Sequence, residues 1–418
     1  MVAALDTHKR VLLVTRQDGP RGGSPVRGVE WGNRPSHVVM QVLMRQTRET
    51  TWNDISSSGG IILVMSQAHY AEGRAVLRRD VPLEELGAPQ FSHLEFTFPL
   101  RLLAPRGASE DATVNAAKHD TTSPVKKCVG ILFMVSFGGG LVSGDFVRLN
   151  VDVGEYTRLL MLTQGSTKVY KERRGGDLPQ QVLHVSGPKE VSRQCIHYTV
   201  RENATLVLLP APVTCFARSR YAQVQRFDLM SSATSSLVLL DWFTSGRLAV
   251  DHERVPEFWH FYLYHSRNEV SIDGHVIARD RQHLAQELPE TLSETTDLAR
   301  RCEPYTCFAN VLLYGPECTA LCAALTKEYS QIQQPQPFLR SSGSRGQVTP
   351  PDVVWSLSPL CSGAPVPGCD YRADTFSDKG LVVRIAGTKT DIVRVWLYEH
   401  LQLVRHMIGA DMYRVALG

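Results

Sequence analysis

The constraint that most limits what this chain can fold into is an alternation of apolar and polar residues with a period of two. Val147, Leu149, Val151 and Val153 alternate with Arg148, Asn150 and Asp152, which is the pattern of a strand with one buried and one wetted face. Gly154-Glu155 breaks the run before Tyr156 to Thr163, and this spacing predicts a hairpin. Ile196, Tyr198 and Val200 alternate again, Ala204 to Leu209 is mostly apolar, and Phe258 to His265 is rich in aromatic residues, as suits a pleated face. Glu269–Ile272 and His275–Ala278 flank Asp273-Gly274, the turn pair that best fits a type I′ hairpin. Residues from about 56 to 290 therefore read as all-β.

Two helical patterns follow. In Glu317 to Gln331, the residues Cys318, Leu321, Cys322, Leu325 and Tyr329 fall on one face. From Lys389 to Ile408, Ile392, Val393, Trp396, Leu397, Val404, Met407 and Ile408 form the apolar stripe. Thr388 with Asp391 resembles a capping box, and Gly409 fits a helix stop. The fold class expected is mainly β with a small helical flank.

Residues 1–55 carry seven arginines and a Gly-Pro-Arg-Gly-Gly run without a sustained period, so a poorly specified, disordered extension is expected there. Residues 56–418 form the β-rich domain. It is expected to carry flexible insertions at about 107–127 and at the Pro/Gly/Ser-rich stretch 333–378.

Composition excludes several function classes. The formal charge is +3, from 45 Lys+Arg against 42 Asp+Glu, and the basic residues are scattered, which leaves no electrostatic footprint for nucleic acid. Nine cysteines, an odd number, occur with no Cys-x-x-Cys pair, so no disulfide framework is expected. The apolar stretch Cys128 to Gly144 has 17 residues and five glycines, whereas a spanning helix needs about 20 apolar residues. A soluble, cytoplasmic protein is expected.

The Gly-rich run Phe137 to Asp145 is the most unusual local feature. A phosphate loop would place Lys where Asp145 stands and would open a helix rather than a strand, so nucleotide binding is rejected. A glycine-permitted connection between strands accounts for the glycines but not for Asp145 or Ser143. Thr163 to Lys171 reads as a turn or an anion nest. His184, His197, His252, His260, His265 and His275 show no metal-ligand spacing, so no high-affinity metal site is predicted. Cys318 and Cys322 share the apolar helical stripe and read as core thiols. No nucleophile–base motif is legible.

Taken together, these segments resemble the UreD (UreH) family of urease accessory proteins. The resemblance rests on Gly139-Gly140-Leu141-Val142-Ser143-Gly144-Asp145 followed by Thr167-Lys168-Val169-Tyr170-Lys171. Phe98-Pro99-Leu100-Arg101-Leu102, the stretch Leu239 to Arg247, and the Ile408-Gly409 and Tyr413 close support it. It covers most of residues 70–418.

The resemblance implies layered, β-helix-like stacked sheets with a small C-terminal helical pair. It implies a nickel-insertion chaperone rather than an enzyme, with no tightly bound cofactor and only transient Ni²⁺ passage. The implied partners are apo-urease, UreF and, through UreF, the GTPase UreG, with no nucleic acid and no membrane. A path for Ni²⁺ wants oxygen-bearing side chains that hold a hydrated cation weakly. Asp145, Thr167 and Asp241 are the positions expected to line or shape it. Gly139, Gly140, Ser143, Gly144, Lys168, Tyr170, Gly246 and Arg247 are the remaining family-motif residues. Each aspartate has a competing structural reading, as a turn cap or a partner of Arg148 or Arg247. Ala211, after Pro210, stands where many family members carry a polar or acidic residue, so it is assigned no role. The alternative function is a β-rich hydrolase using the Gly-rich loop as an anion cradle.

Overall fold

Alternating runs that cannot bury their apolar face alone must stack, and two large sheets do so here. The computed structural model describes residues 2–5, 11–14, 70–79, 89–105, 128–172, 191–247, 256–289, 291–332, 350–360 and 380–418. One unit, residues 1–67 with 178–183, contains β1 (Val2–Leu5) and β2 (Val11–Val14), paired antiparallel. Apart from this ribbon, the extension expected over 1–55 lies outside the described residues.

The second unit comprises residues 68–177 and 184–418. In chain order its strands begin with β3 (Tyr70–Arg78), β4 (Gln90–Phe96), β5 (Leu100–Leu103), β6 (Cys128–Ser136), β7 (Gly140–Leu141) and β8 (Phe146–Val153). Then come β9 (Thr157–Thr163), β10 (Thr167–Val169), β11 (Ser192–Val200), β12 (Thr205–Leu208), β13 (Val213–Cys215) and β14 (Arg220–Leu229). The series closes with β15 (Ser236–Thr244), β16 (Leu263–Ile272), β17 (His275–Ala285), β18 (Cys307–Tyr314), β19 (Val353–Pro359) and β20 (Leu381–Gly387).

A seven-stranded sheet runs β17-β16-β14-β11-β8-β3-β4, and an eleven-stranded sheet has the main path β19-β20-β18-β15-β12-β9-β6-β5. The chain shuttles between them: β8, β11, β14 and β16 join the first, while β9, β12 and β15 join the second, all in parallel pairings. This is the β-helix-like course of stacked sheets. It overturns the expected hairpin of 147–153 with 156–163, because β8 and β9 belong to different sheets. Gly154 permits the sharp exit, since a Cβ there would lie 2.5 Å from the Leu77 carbonyl oxygen. The Asp273-Gly274 hairpin forms as expected, with φ of 50° and 80°.

Burial follows the layers. β15 is buried at all nine positions and β12 at all four, as befits parallel strands covered on both faces. One core fills the space between the sheets, including Leu149, Leu159, Tyr198 and Phe227. A second core lies on the other face of the eleven-stranded sheet, under α2 (Thr319–Gln331) and α3 (Thr390–His400). A short α1 (Asp297–Cys302) precedes them, and α4 (Arg405–Ile408) and α5 (Ala410–Leu417) complete the C-terminal helical group. Cys318 and Cys322 are buried in this second core.

Several local expectations change. Thr388 does not cap α3; its hydroxyl donates to Asp352 and Lys389 is the N-cap residue. Gly409, at φ 89°, ends α4 and starts α5. The stretch 107–127 lies outside the described residues, whereas 333–378 contains β19, which pairs antiparallel with β20. No helix among the described residues is long and apolar enough to cross a membrane.

Candidate functional site

Because side chains alternate along a strand, β15 sends Leu237, Leu239 and Phe243 into the inter-sheet core and Val238, Leu240 and Trp242 toward the helices. Asp241 shares the first parity and is only 3% exposed. A carboxylate there survives only if the opposite sheet supplies donors, and it does. Asp241 Oδ2 accepts from Ser266 Oγ at 2.7 Å and Asn268 Nδ2 at 2.6 Å, both on β16. Gln223 Nε2 on β14 approaches Oδ1 at 3.4 Å. The network extends through Gln225, which donates to Asn268 at 3.1 Å, and Tyr221, which donates to Gln194 at 2.7 Å.

Burial pushes the Asp241 carboxyl above the usual carboxylate range. The hydrogen bonds from Ser266 and Asn268 act against this, and the charge of Asp280 reinforces it. Burial likewise raises the phenols of Tyr198, Tyr221 and Tyr264, which keeps them as neutral hydroxyls.

A small cavity of about 30 Å³ adjoins this network, lined among others by Asp241, Gln223, Gln225, Thr167, Met134 and Met161. That is room for about one or two waters. Thr163 and Ala211 line both this cavity and a cleft of about 830 Å³ on its far side. The Ala211 amide donates to Thr163 Oγ1 at 2.9 Å, which fixes that boundary. Among the described residues, the cleft presents Lys168, Arg247 and Arg394 and no carboxylate. Positive charge therefore faces the opening and the single carboxylate lies inward.

The residues singled out from the sequence divide into three groups. Thr167 and Asp241, 74 positions apart, meet at the cavity. Lys168, Tyr170, Gly246 and Arg247 line the cleft. There Arg247 pairs with Glu257 at 2.5 Å and lies over the Phe216 ring. A Cβ on Gly246 would sit 2.1 Å from the Glu257 carbonyl oxygen, so only glycine fits.

The third group, Gly139, Gly140, Ser143, Gly144 and Asp145, forms the Gly-rich connection. β7 pairs parallel with β10, placing Gly140 opposite Lys168, and a Cβ on Gly140 would lie 2.3 Å from the Lys168 carbonyl oxygen. Tyr170 ties this connection to the cleft by donating to the Gly138 carbonyl at 2.8 Å. Asp145 does not join Asp241 or line the cavity. Its carboxylate closes a turn by accepting from the Val142 amide at 2.8 Å. That arrangement disfavours the anion-cradle hydrolase, because an amide an oxyanion would need already serves a carboxylate.

Gln223, Ser266 and Asn268 were invisible to motif reading. Their one common signal is polar residues at inward-facing positions of otherwise alternating strands. No group of three or more His, Cys, Asp or Glu residues able to hold a metal ion converges among the described residues.

The architecture is a mainly β protein of stacked sheets, with the hydrogen-bonded Asp241 carboxylate beside a small cavity and a larger cleft. The UreD urease accessory protein family matches residues 73–416, and the chain belongs to this family. It is 32% identical to urease accessory protein 4 of Cryptococcus neoformans over 78% of this chain and 90% of that protein. It is 30% identical to urease accessory protein D of Oryza sativa subsp. indica, over 76% and 88% of the two chains. To UreD of Anaeromyxobacter it is 30% identical over 75% and 80%. These relatives are accessory proteins and not enzymes, and the chain is a urease accessory protein in the same sense.

Proposed function

We propose that this chain is a urease-maturation scaffold that binds apo-urease and UreF, recruits UreG through UreF, and passes Ni²⁺ as cargo along the polar path between its two sheets. The observation that carries this reading is the meeting of Thr167 and Asp241 at a cavity that borders an open cleft through Thr163 and Ala211. Oxygen and amide groups hold a hydrated borderline cation such as Ni²⁺ weakly, whereas a closed His/Cys cage would retain it. Asp241 suits transit for a second reason. A carboxyl raised by burial tolerates the neutral state and gains its charge when a cation arrives to stabilise it. The cavity is too small for a hydrated ion, so passage requires side chains to move, and the flexible Met134 and Met161 flank it.

The test is complementation. Urease-positive cells lacking their own UreD are supplied with nickel, with and without this chain. Restored urease activity that also requires UreF and UreG supports the scaffold reading. Absence of restoration with soluble chain and matched partners removes it.

A further inference from the structure

The outer face of the seven-stranded sheet carries a pair of imidazoles that the maturation path does not use. On β16, Tyr264, Ser266 and Asn268 are buried between the sheets, while the half-exposed His265 faces outward. Directly across the strand pair, β17 places His283, which is exposed. Their Nδ1 atoms are 3.3 Å apart and the rings meet edge to face.

This pairing is made by an irregularity rather than by the turn. The Asp273-Gly274 hairpin starts in the register Ile272↔His275, which if continued would set Gln282 opposite His265. A one-residue bulge between Val270 and Ser271 shifts the register, so that His265 meets His283 instead. Bulges re-aim side chains in this way, and the shift explains why no sequence spacing announced the pair.

We propose that His265 and His283 form a two-imidazole site for a borderline divalent cation such as Ni²⁺, Cu²⁺ or Zn²⁺, with water completing the shell. The separation carries the argument. With metal–nitrogen bonds of about 2.0–2.1 Å, nitrogens this far apart subtend about 105°, near the tetrahedral angle of Zn²⁺ and wider than the roughly 90° that Ni²⁺ and Cu²⁺ prefer, so one cation can bridge both rings and Zn²⁺ fits with least adjustment. With no cation bound, one ring donates to the other across this 3.3 Å, and a bound cation would take the place of the shared proton. Arg267 and Arg281 occupy the adjacent cross-strand pair, and Arg267 is compensated by Glu269 at 2.5 Å. The net positive surroundings make the site weak. Burial lowers the His265 pKa, and the nearby charges of Arg281, His283 and Arg267 act in the same direction.

The experiment is titration of the purified full chain with Ni²⁺ by calorimetry, paired with Cu²⁺ electron paramagnetic resonance to count nitrogen ligands. His265→Ala and His283→Ala should each lose the same binding event, with affinity down about tenfold or more. The double variant should lose no more than either single one, because the two rings act as a unit. His93→Ala, at an exposed histidine on β4, should bind as the unaltered chain does. Circular dichroism establishes that the variants remain folded, as expected for a pair on the solvent face of an edge hairpin. No such event in the unaltered chain, or an event that survives either single substitution, would overturn the site.

Discussion

Arg247 belongs to the motif that marks the family, and its geometry assigns it to holding the cleft wall. Its guanidinium meets Glu257 Oε1 at 2.5 Å, while Glu257 Oε2 accepts from the Ala217 amide at 2.9 Å. Glu257 is 8% exposed, and the Arg247 side chain is 37% exposed. Replacing Arg247 with Ala leaves a nearly buried carboxylate without its counter-charge. Breaking a fully buried pair from one side costs about 3–5 kcal/mol, and exposure of the arginine reduces that to about 2 kcal/mol. Glu257→Gln keeps an acceptor for the Ala217 amide, so it costs about 1 kcal/mol. The double variant no longer buries an unpaired charge and should be more stable than Arg247→Ala alone, giving a coupling of about 1–2 kcal/mol. Urea unfolding of all four proteins, followed by the fluorescence of the buried Trp242 and Trp259, measures the cycle. Strict additivity would refute the argument and return Arg247 to the pool of ligand-binding candidates.

Three further outcomes follow from the same reasoning. Gly140→Ala should destabilise the β7–β10 pairing by about 1–3 kcal/mol through overpacking. Gly138→Ala, with open space but φ of 79°, should cost only about 1 kcal/mol, and thermal melts rank the two. Burial alone would raise the Asp152 carboxyl, but hydrogen bonds from Arg201 and Arg78 outweigh it and hold the pKa near about 2. The stability it supplies is present above the ordinary carboxylate range and lost as pH falls toward about 2, so acid denaturation of Asp152→Asn should be less steep there. Asp241 has the opposite sign. Its folded pKa is raised, so its contribution is largest in acid and declines as pH rises through that pKa. The difference in melting temperature between the unaltered chain and Asp241→Asn should reverse the slope seen for Asp152.

The sequence discloses this protein unevenly, for physical reasons. The β16–β17 hairpin was legible because Asp273-Gly274 satisfies a local requirement for two positive φ angles. The β8–β9 connection reads as a hairpin because the alternation of β8 and the apolar run of β9 are the same whether the strands pair together or enter different sheets. The partner in a parallel pairing is not encoded nearby. β19 is masked by the Pro/Gly/Ser-rich stretch around it, although Val353, Trp355 and Leu357 keep a period of two. Family motifs led to Thr167 and Asp241, yet their meeting depends on which strands the shuttling chain sets side by side. Asp145, from the same motif, turned out to close its own turn. The donors around Asp241 lie on other strands and match no motif at all.

The central claim is that the Thr167–Asp241 path carries nickel while assembly depends on other surfaces. The most direct measurement is the nickel content of urease matured in cells whose only UreD is this chain or its Asp241→Asn variant, with the accessory complex isolated in parallel. The account predicts that the variant assembles with urease and its partners as fully as the unaltered chain, but yields urease with severalfold less nickel. Fully nickel-loaded urease from a complex built on Asp241→Asn would contradict it.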